Sequence, residues 1–467
     1  MRKITGKDLI DAGYEPAPWF KEALDILNPL PWEDQFEVTD EVIKATCDKL
    51  LPPPVIMPHK SPRPYSFNMS PSDNADEIAN MEKVRQTMDE LMKVPTIREG
   101  AVMPDACPTG KIGQIPVGGV VIAENAIHPN MHSADICCSV MATDLGEVDP
   151  KHVMDVAMYA THFGYGGRND GIYQLTNDLK VDILTNPYLN HQDTVVKSTT
   201  HLGTQGDGNH FLFVGKSEAS GNTILVTHHG SRGVGADLFK RGMKVAEKFR
   251  KKISPDTDKI NAWIPYDTDE GRDYWSALQI VRKWTKLNHE VIHDKIADIV
   301  GGNKDFKIWN EHNFVFKDGN DFYHAKGATP LKESFVPDGA MGLRLIPLNM
   351  SEPILVVKGY NYCSGGLGFA PHGAGRNISR SEHKRRMDAI GLSKKAILFN
   401  ETKGLDIRFF SGKADLSELP SAYKSADDVQ RQMKDFDLGT VVNRIMPYGS
   451  IMAGEQDAPW RKKGKKG

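Results

Sequence analysis

TILVTHHGSRG, residues 223–233, is a short apolar run that ends in two histidines and a Gly-Ser-Arg-Gly turn. An apolar, β-branched run bounded by glycine predicts a β-strand, with His228 and His229 at its end. Four more runs of this kind are GGVVIAENAI (118–127), CCSVMATDL (137–145), HFLFVG (210–215) and EPILVVKG (352–359). Helices are predicted near 234–252, 272–300 and 380–391. The sequence therefore predicts an α/β (α+β) fold, with central β-sheets flanked by helices.

The first 100 residues differ in pattern: they predict helices and a proline-rich stretch and no run of short strands. Residues 1–51 predict an N-terminal helical segment, which starts at a capping box of Thr5 and Asp8 and breaks at Pro16 and Pro18. The six prolines of residues 52–64 predict a linker. Residues 74–93 predict an amphipathic helix, because apolar residues recur there at helical spacing: Ile78, Met81, Val84, Met88 and Leu91.

Composition limits the class of protein. The chain has 467 residues, 39% hydrophobic and 25% charged, which is typical of a globular protein. Its net charge of -3 gives no overall attraction to nucleic acid, so any such contact must come from a local basic patch. The C-terminal RKKGKKG, 461–467, is predicted to be a solvated basic tail.

The cysteines and the N-terminus indicate the compartment. The number of cysteines is odd and two are adjacent, which argues against a disulfide framework: Cys47, Cys107, Cys137, Cys138 and Cys363. The N-terminus has no apolar signal region, and no apolar run approaches the roughly 18 residues that a membrane span needs. The sequence predicts a cytoplasmic protein without a membrane segment.

Several potential metal ligands lie at predicted strand ends. His210 follows Asn209, His312 precedes Asn313, and Asp135 lies three positions before Cys138. Adjacent cysteines on a strand point to opposite faces, so only one of Cys137 and Cys138 should share a site with Asp135. A single buried histidine is more often a core residue than a ligand. A thiolate, a carboxylate and several imidazoles together suit Zn²⁺, Mn²⁺, Fe²⁺ or Co²⁺, and the sequence does not choose among them. Their wide spacing is unlike the close cysteine pairs of structural zinc sites.

A glycine-rich basic loop follows in PHGAGRNISRSEHKRR, residues 371–386. Its small residues would let backbone amides approach phosphate groups, and arginine can bind phosphate through two hydrogen bonds. A histidine such as His372 in this loop could act as a nucleophile toward phosphorus. The alternative is a glycine turn that leads into a solvated basic helix.

Together these segments resemble the RNA-splicing ligase RtcB family over roughly residues 100–454, with residues 1–95 largely outside. The matching motifs are MPD (103–105), DICC (135–138), GDGNHF (206–211), HHGSRG (228–233), HN (312–313), KGA (326–328), HGAGRNISR (372–380) and, more weakly, ELPSAYKSADDV (418–429). The resemblance implies an RtcB-like catalytic domain, which we predict for residues 65–460.

The resemblance also implies an activity and a set of site residues. The activity is ligation of an RNA 3′-phosphate, or a 2′,3′-cyclic phosphate after hydrolysis, to a 5′-hydroxyl, with His372 as the nucleophile that takes GMP from GTP. Cys138 would bridge two Mn²⁺ ions, with Zn²⁺ or Co²⁺ as other candidates. The remaining ligands would be Asp135 and His210 in one site and His228 and His312 in the other. Nucleotide-binding residues would be Asn209, Asn313, Asn349, Gly373, Ala374, Gly375 and Arg376. Arg232, Lys326, Arg380, Lys384 and Arg385 would hold RNA phosphates or be surface charges.

The chain departs from the family pattern at several positions. Cys137 replaces a glycine, Cys107 a histidine, Phe213 a glutamate and Ala453 a lysine, and PLNMS (347–351) replaces a P-G-S-M-G loop. Three of these positions lie where the family contacts the guanine nucleotide. The sequence therefore predicts a divergent member, for RNA repair or tRNA splicing, that keeps metal binding and histidine nucleotidylation but relaxes or changes the nucleotide preference.

Two other functions remain open at this point. One is a metal-dependent phosphodiesterase or phosphatase acting on RNA ends, although simple hydrolysis needs no histidine nucleophile. The other is a non-catalytic RNA-binding relative, although nothing in stability alone requires the five ligands. As partners, the resemblance implies RNA and an archease-like activator, and the chain is predicted to be a monomer or homodimer.

Overall fold

The computed structural model describes residues 3–28, 39–51, 54–168, 170–359 and 365–456. The chain divides into two compact units, Met1–Ile56 with Lys251–Pro255 and Met57–Arg250 with Asp256–Gly467. The predicted tail at 461–467 and Cys363 lie outside the described residues. Within them, no helix is both long and apolar enough to cross a bilayer.

Helices and strands are both abundant, which confirms the predicted α/β class. The helices are α1 (Gly6–Asp11), α2 (Phe20–Leu27), α3 (Asp40–Leu50), α4 (Ala75–Leu91), α5 (Pro150–Ala160), α6 (Asn177–Thr185), α7 (Gln192–Thr200), α8 (Arg232–Ile253), α9 (Asp269–Val300), α10 (Arg380–Ala389), α11 (Lys394–Thr402) and α12 (Ala426–Asp435). The strands are β1 (Tyr65–Phe67), β2 (Ile97–Cys107), β3 (Val117–Glu124), β4 (Ala126–Ile127), β5 (Ser139–Asp144), β6 (Phe211–Ser217), β7 (Thr223–His229), β8 (Ile264–Pro265), β9 (Lys307–Glu311), β10 (Asn313–Asp318), β11 (Asp321–Lys326), β12 (Ala328–Pro330), β13 (Leu343–Pro347), β14 (Ile354–Lys358), β15 (Phe369–Pro371), β16 (Asp406–Phe409) and β17 (Thr440–Met452).

The first unit contains α1 to α3. The Thr5 backbone N–H donates to the Asp8 carboxylate at 2.8 Å, as the predicted capping box requires. Pro16 and Pro18 lie between α1 and α2. The core of this unit is small and apolar: Ile4, Leu9, Ala23, Leu27, Ile43 and Cys47.

A five-stranded sheet in the second unit has the order β1-β2-β3-β11-β10. Helix α4 packs against it, because Val84, Met88 and Leu91 are buried in one cluster with residues of β2 and β3. The predicted apolar face is wrong at Ile78, which is 50% exposed. The buried stripe passes through Asn80 instead, whose side chain donates to the Arg376 carbonyl at 2.9 Å and so orients the helix.

The larger sheet positions several of the candidate site residues. Its order is β13-β14-β17-β6-β7-β5-β9, with β16 paired to β17. Leu212 and Val214 of β6 point to the face covered by α5 and α9, with which they share a buried cluster. Because side chains alternate along a strand, Phe211 and Phe213 lie on the opposite face, beside His228 of β7 and Ser450 and Met452 of β17.

Candidate active site

A cavity of about 1030 Å³ is lined by residues of both large sheets, of α4 and of the loop after β15. The potential metal ligands Asp135, Cys138, His228 and His312 lie in its wall together with His372. A volume of this order exceeds what a single nucleotide fills and leaves room for a second substrate.

Two groups of ligand atoms meet at Cys138. Cys138, His228 and His312 form one group, and Asp135, Cys138 and His210 form the other, with the ligand atoms of each group within 4.8 Å of one another. In the first group the Cys138 Sγ lies 3.1 Å from the His228 Nε2, which lies 3.2 Å from the His312 Nε2. In the second the His210 Nε2 lies 3.1 Å from an Asp135 oxygen and 3.7 Å from the same Sγ. The structure thus brings together all five residues that the sequence singled out as ligands.

The protonation states of these groups suit a cation. The His228 Nδ1 donates to the Asn209 carbonyl at 3.1 Å, so its Nε2 carries a lone pair aimed at the other ligands. Burial, with the neighbouring His210 next, lowers the pKa of His228 to about 3, and burial also lowers the pKa of His312. Both imidazoles are therefore neutral, which metal ligation requires.

The protonation behaviour of Asp135 and Cys138 also suits a bound cation. Burial raises the pKa of Asp135, but His210 outweighs this and brings it down to about 2. Burial and Asp135 raise the pKa of the Cys138 thiol. A buried thiol beside a carboxylate becomes a thiolate when a divalent cation supplies the compensating charge. The donor set therefore fits one or two borderline divalent cations.

The two adjacent cysteines do diverge, but the predicted cause is wrong. They lie in a turn before β5 rather than on a strand, and Cys137 has a φ of +57°. This left-handed conformation is strained for a residue with a Cβ, which explains the glycine of the family motif. The Cys137 side chain is fully buried in the main core, while Cys138 lines the cavity.

His372 follows directly after β15, beside the ligand groups. Its ring centroid lies 5.0 Å from that of His312. Its Nδ1 lies 2.6 Å from the Asp105 carboxylate, and its backbone N–H donates to the same oxygen at 3.1 Å. Since a carboxylate accepts, the Nδ1 carries the proton and the Nε2 keeps a free lone pair. At Gly375 a Cβ would lie 1.9 Å from the Asp105 carbonyl oxygen, so only glycine fits there.

Asp105 is a candidate functional residue that the sequence reasoning did not single out. It is fully buried, and its second carboxylate oxygen has no hydrogen-bond partner among the described residues. The one indication of a role in the sequence was that Asp105 ends the MPD motif, but it lies 267 positions from His372 along the chain. Nothing in that motif indicates which imidazole the carboxylate would meet.

The arginines of the loop differ in how they are held. Arg376 donates to the Ile378 carbonyl at 3.1 Å, the Ser417 carbonyl at 2.9 Å and the Glu418 carboxylate at 3.1 Å. Its Nε, Nη1 and Nη2 are thus all engaged within the protein. Arg380 bonds the other oxygen of Glu418 through its Nε only, and its side chain is 52% exposed. Both arginines line the cavity, but Arg380 is the one whose guanidinium faces it with unused donors.

The other predicted residues divide into two sets. Those that line the cavity are Asn209, Asn313, Asn349, Gly373, Ala374, Gly375 and Lys326. Burial lowers the pKa of Lys326 to about 8, and its Nζ donates to the Thr109 hydroxyl at 3.0 Å. Outside the cavity wall, Arg232 donates to the Gly164 carbonyl at 2.8 Å, while Lys384 and Arg385 pair with Glu455 and Glu382.

The large sheet forms an uncharged wall beside the ligand groups. From His228 on β7 the wall continues over Phe211 and Phe213 on β6 to Ser450 and Met452 on β17. Two strand spacings, about 9.5 Å, separate β7 from β17. Of the lining residues that β6, β17 and the β13–β14 hairpin contribute in the described chain, none is charged. Ala453 is buried with Leu212 on the opposite face of the sheet.

Comparison with known proteins gives consistent matches. A family model described as tRNA-splicing ligase RtcB matches residues 184–453. The tRNA-splicing ligase RtcB of Thermococcus kodakarensis is 24% identical over 460 residues, covering 80% of this chain and 92% of that protein. The tRNA-splicing ligase RtcB of Aeropyrum pernix is 27% identical over 357 residues, and the match covers 64% of this chain and 68% of that protein.

Proposed function

This chain belongs to the RtcB family, and from that premise we propose that it ligates RNA ends through a nucleotide bonded covalently to His372. The bond formed would join an RNA 3′-phosphate, or a 2′,3′-cyclic phosphate after hydrolysis, to a 5′-hydroxyl. The observation that carries the proposal is the position of His372. Its Nδ1 is held by a buried carboxylate, and its ring lies 5.0 Å from that of the ligand His312.

The proposed reaction has three steps, and each forms one bond to phosphorus and breaks another. First the His372 Nε2 attacks the α-phosphorus of a nucleoside triphosphate, so that a P–N bond forms and pyrophosphate leaves. Next an oxygen of the RNA 3′-phosphate attacks that phosphorus, and the P–N bond breaks. Finally the 5′-hydroxyl attacks the 3′-phosphorus and loses its proton, and the nucleoside monophosphate leaves. The imidazole is neutral at the start and at the end of the cycle.

The chain's own residues supply orientation and positive charge. Asp105 keeps the proton on the His372 Nδ1 and stabilises the imidazolium character that develops as the Nε2 attacks. Arg380 and Lys326 bring cationic groups into the cavity, where phosphates would bind. We propose Mn²⁺ as the cation of the two ligand groups, where it would neutralise phosphate charge.

The uncharged wall supports a changed nucleotide preference. Phe211 is half-buried and offers apolar surface on which any nucleobase can stack, and the half-buried Asn349 offers a neutral amide for hydrogen bonding. A guanine edge is read most selectively by a fixed carboxylate, and none of the described residues places one on this wall. We therefore propose that GTP is accepted without strong discrimination against the other nucleotides.

Incubation with Mn²⁺ and each α-labelled nucleoside triphosphate tests both parts of the proposal. We expect the protein to become labelled from GTP and from at least one other nucleotide, through a bond that is stable in alkali and labile in acid, as a phosphoramidate is. His372→Ala should abolish the label, whereas His152→Ala, at an exposed position of α5, should keep it. Metal-loaded protein that takes no label from any nucleotide would exclude the covalent mechanism. Label from GTP alone would exclude the relaxed preference.

A further inference from the structure

Of the five basic residues that the sequence suggested for RNA binding, the three on α10 are each paired with a carboxylate. Arg380 pairs with Glu418, Lys384 with Glu455, and Arg385 with Glu382. Arg386, in the same helix, pairs with Asp76 and Glu382. Because the net charge of the chain is -3, an RNA ligase of this kind still needs a basic surface elsewhere.

Helix α8 is the most basic element of the described chain. Its sequence, RGVGADLFKRGMKVAEKFRKKI, holds eight lysines and arginines and two acidic residues, Asp237 and Glu247. Asp237 accepts from Lys197 at 2.6 Å, and Glu247 pairs with Arg250 at 2.7 Å. The acidic groups of the helix are thus already engaged with other partners.

Three lysines of α8 form an exposed row. Lys240, Lys244 and Lys248 are spaced by four residues, so they lie on one side of the helix at intervals of about 6 Å. All three are exposed, and none has an ionic partner within the described part of the chain. Like charges at this spacing repel one another, so helix stability alone does not favour the row. We call Lys240, Lys244 and Lys248 the lysine row.

The helix fixes the row relative to the active site. It begins at Arg232, four residues after the ligand His228, and Arg232 is anchored to the Gly164 carbonyl at 2.8 Å. Its apolar side is buried in the main core through Val234, Leu238 and Ala246. The row therefore extends from about 12 to about 24 Å along the axis from the start of the helix, on a rigid support.

We propose that the lysine row binds the sugar-phosphate backbone of the RNA substrate, away from the ends that react. This inference rests on the proposed ligase function, since it assigns the surface that holds the body of that substrate. Lysine ammonium groups are point charges that bind phosphates without reading bases. The row would supply affinity that depends on salt and not on sequence, while the cavity selects the chemistry of the ends.

The test compares two triple variants that remove the same charge. In the first, Lys240, Lys244 and Lys248 are replaced by alanine. The matched control replaces Lys180, Lys395 and Lys434, which are exposed helical lysines without ionic partners among the described residues. The probe is a labelled RNA with a 3′-phosphate, and its Kd is measured at several salt concentrations. Labelling by α-labelled nucleotide is measured in parallel.

For the row variant we expect a Kd about ten-fold higher at low salt, and a slope of log K against log salt that is shallower by about 2, since three phosphate contacts are lost. The control variant should bind as the parent does, and replacement of the row by three arginines should restore binding. Equal binding and equal slopes for the two alanine variants would overturn the inference. Labelling that is unchanged in every variant shows that the row acts on RNA binding and not on nucleotide transfer. Absence of label on the parent protein would instead count against the ligase proposal.

Discussion

Single residues decide whether His372 can act as a nucleophile. Its Nε2 is available because the buried Asp105 carboxylate holds the proton on the Nδ1 at 2.6 Å. The five potential ligands could be singled out in the sequence by their residue types and their places near strand ends, and the structure brings them together. The partner of His372 could not, because the contact joins positions 105 and 372 and depends on how two loops meet.

Replacement of Asp105 by asparagine tests this pairing. The amide has no negative charge and can turn its N–H toward the ring, which would favour the wrong tautomer of His372. We expect the rate of His372 labelling to fall by about 10²- to 10⁴-fold. Metal content and the thermal unfolding midpoint, measured on the same sample, show whether the fold and the ligand groups survive. An unchanged labelling rate in folded Asp105→Asn would show that the carboxylate does not orient the nucleophile.

At the scale of elements, the loop after β15 is held by one buried carboxylate. Glu418 is 2% exposed and accepts from Arg376, Arg380 and the Tyr423 hydroxyl. The sequence analysis assigned Arg376 to the nucleotide and Arg380 to RNA phosphates or a surface charge, but it gave no indication of how each guanidinium is held. Glu418, 42 positions beyond Arg376, accepts from one nitrogen of each guanidinium. The two are held differently because the Ile378 and Ser417 carbonyls engage the remaining nitrogens of Arg376.

Glu418→Gln should therefore destabilise this part of the protein. It leaves two guanidinium groups beside a neutral amide, and the loss of one partner of a buried ion pair costs about 3 kcal/mol. We expect a lower free energy of unfolding and a weaker affinity for nucleotide, measured by denaturant titration and equilibrium binding. Glu382→Gln on α10 removes a carboxylate that is more exposed, so its effect on stability should stay below about 1 kcal/mol. Equal effects from the two substitutions would contradict the role given to Glu418.

The positions of helices and strands could be predicted from the sequence better than the contacts that orient them. The strands at 210–215 and 223–230 and the helices at 234–252 and 272–300 correspond to β6, β7, α8 and α9. The face of α4 was misplaced because a polar contact of Asn80 with the Arg376 carbonyl, and not apolar spacing alone, sets its orientation. Contacts of this kind join distant parts of the chain, so local periodicity does not reveal them.

At the scale of the whole molecule, several buried histidines make stability depend on pH. The two ring nitrogens of His293 form hydrogen bonds with the hydroxyl groups of Thr143 and Thr227, both at 2.7 Å. Burial lowers the pKa of His293 and of His128 to about 3 and that of His132 to about 4. None of these three residues belongs to the ligand groups. Unfolded histidine titrates near pH 6.5, so between about pH 6.5 and 4 the unfolded state binds more protons than the folded state.

We therefore expect the free energy of unfolding to be highest above about pH 6.5 and to fall as the pH is lowered. Each of these histidines should contribute a loss of about 1.4 kcal/mol per pH unit in that interval. Denaturant titrations of metal-free protein at pH 7.5, 6.5 and 5.5 measure the slope. His293→Gln should make the slope shallower, whereas the exposed His152→Gln should leave it unchanged. Equal stability at pH 7.5 and 5.5 would contradict the account.

The overall class could be predicted from the sequence, but the strand order could not. The large sheet runs β13-β14-β17-β6-β7-β5-β9, so strands far apart in the chain are neighbours. The same topology brings Cys138, His228 and His312 together, although Cys138 precedes β5, His228 lies at the end of β7 and His312 follows β9. Residue types indicated that a site existed, whereas only the pairing of strands defines its geometry.

The most direct test of the central claim is a ligation assay with two pairs of RNA strands. One pair offers a labelled 3′-phosphate and a 5′-hydroxyl, and the other offers a 3′-hydroxyl and a 5′-phosphate, with Mn²⁺ and GTP present in both. The account predicts joining of the first pair only, with the labelled phosphate retained in the junction, and no joining by His372→Ala or after removal of the metal by a chelator. Joining of the second pair, or release of the labelled phosphate without joining, would contradict it.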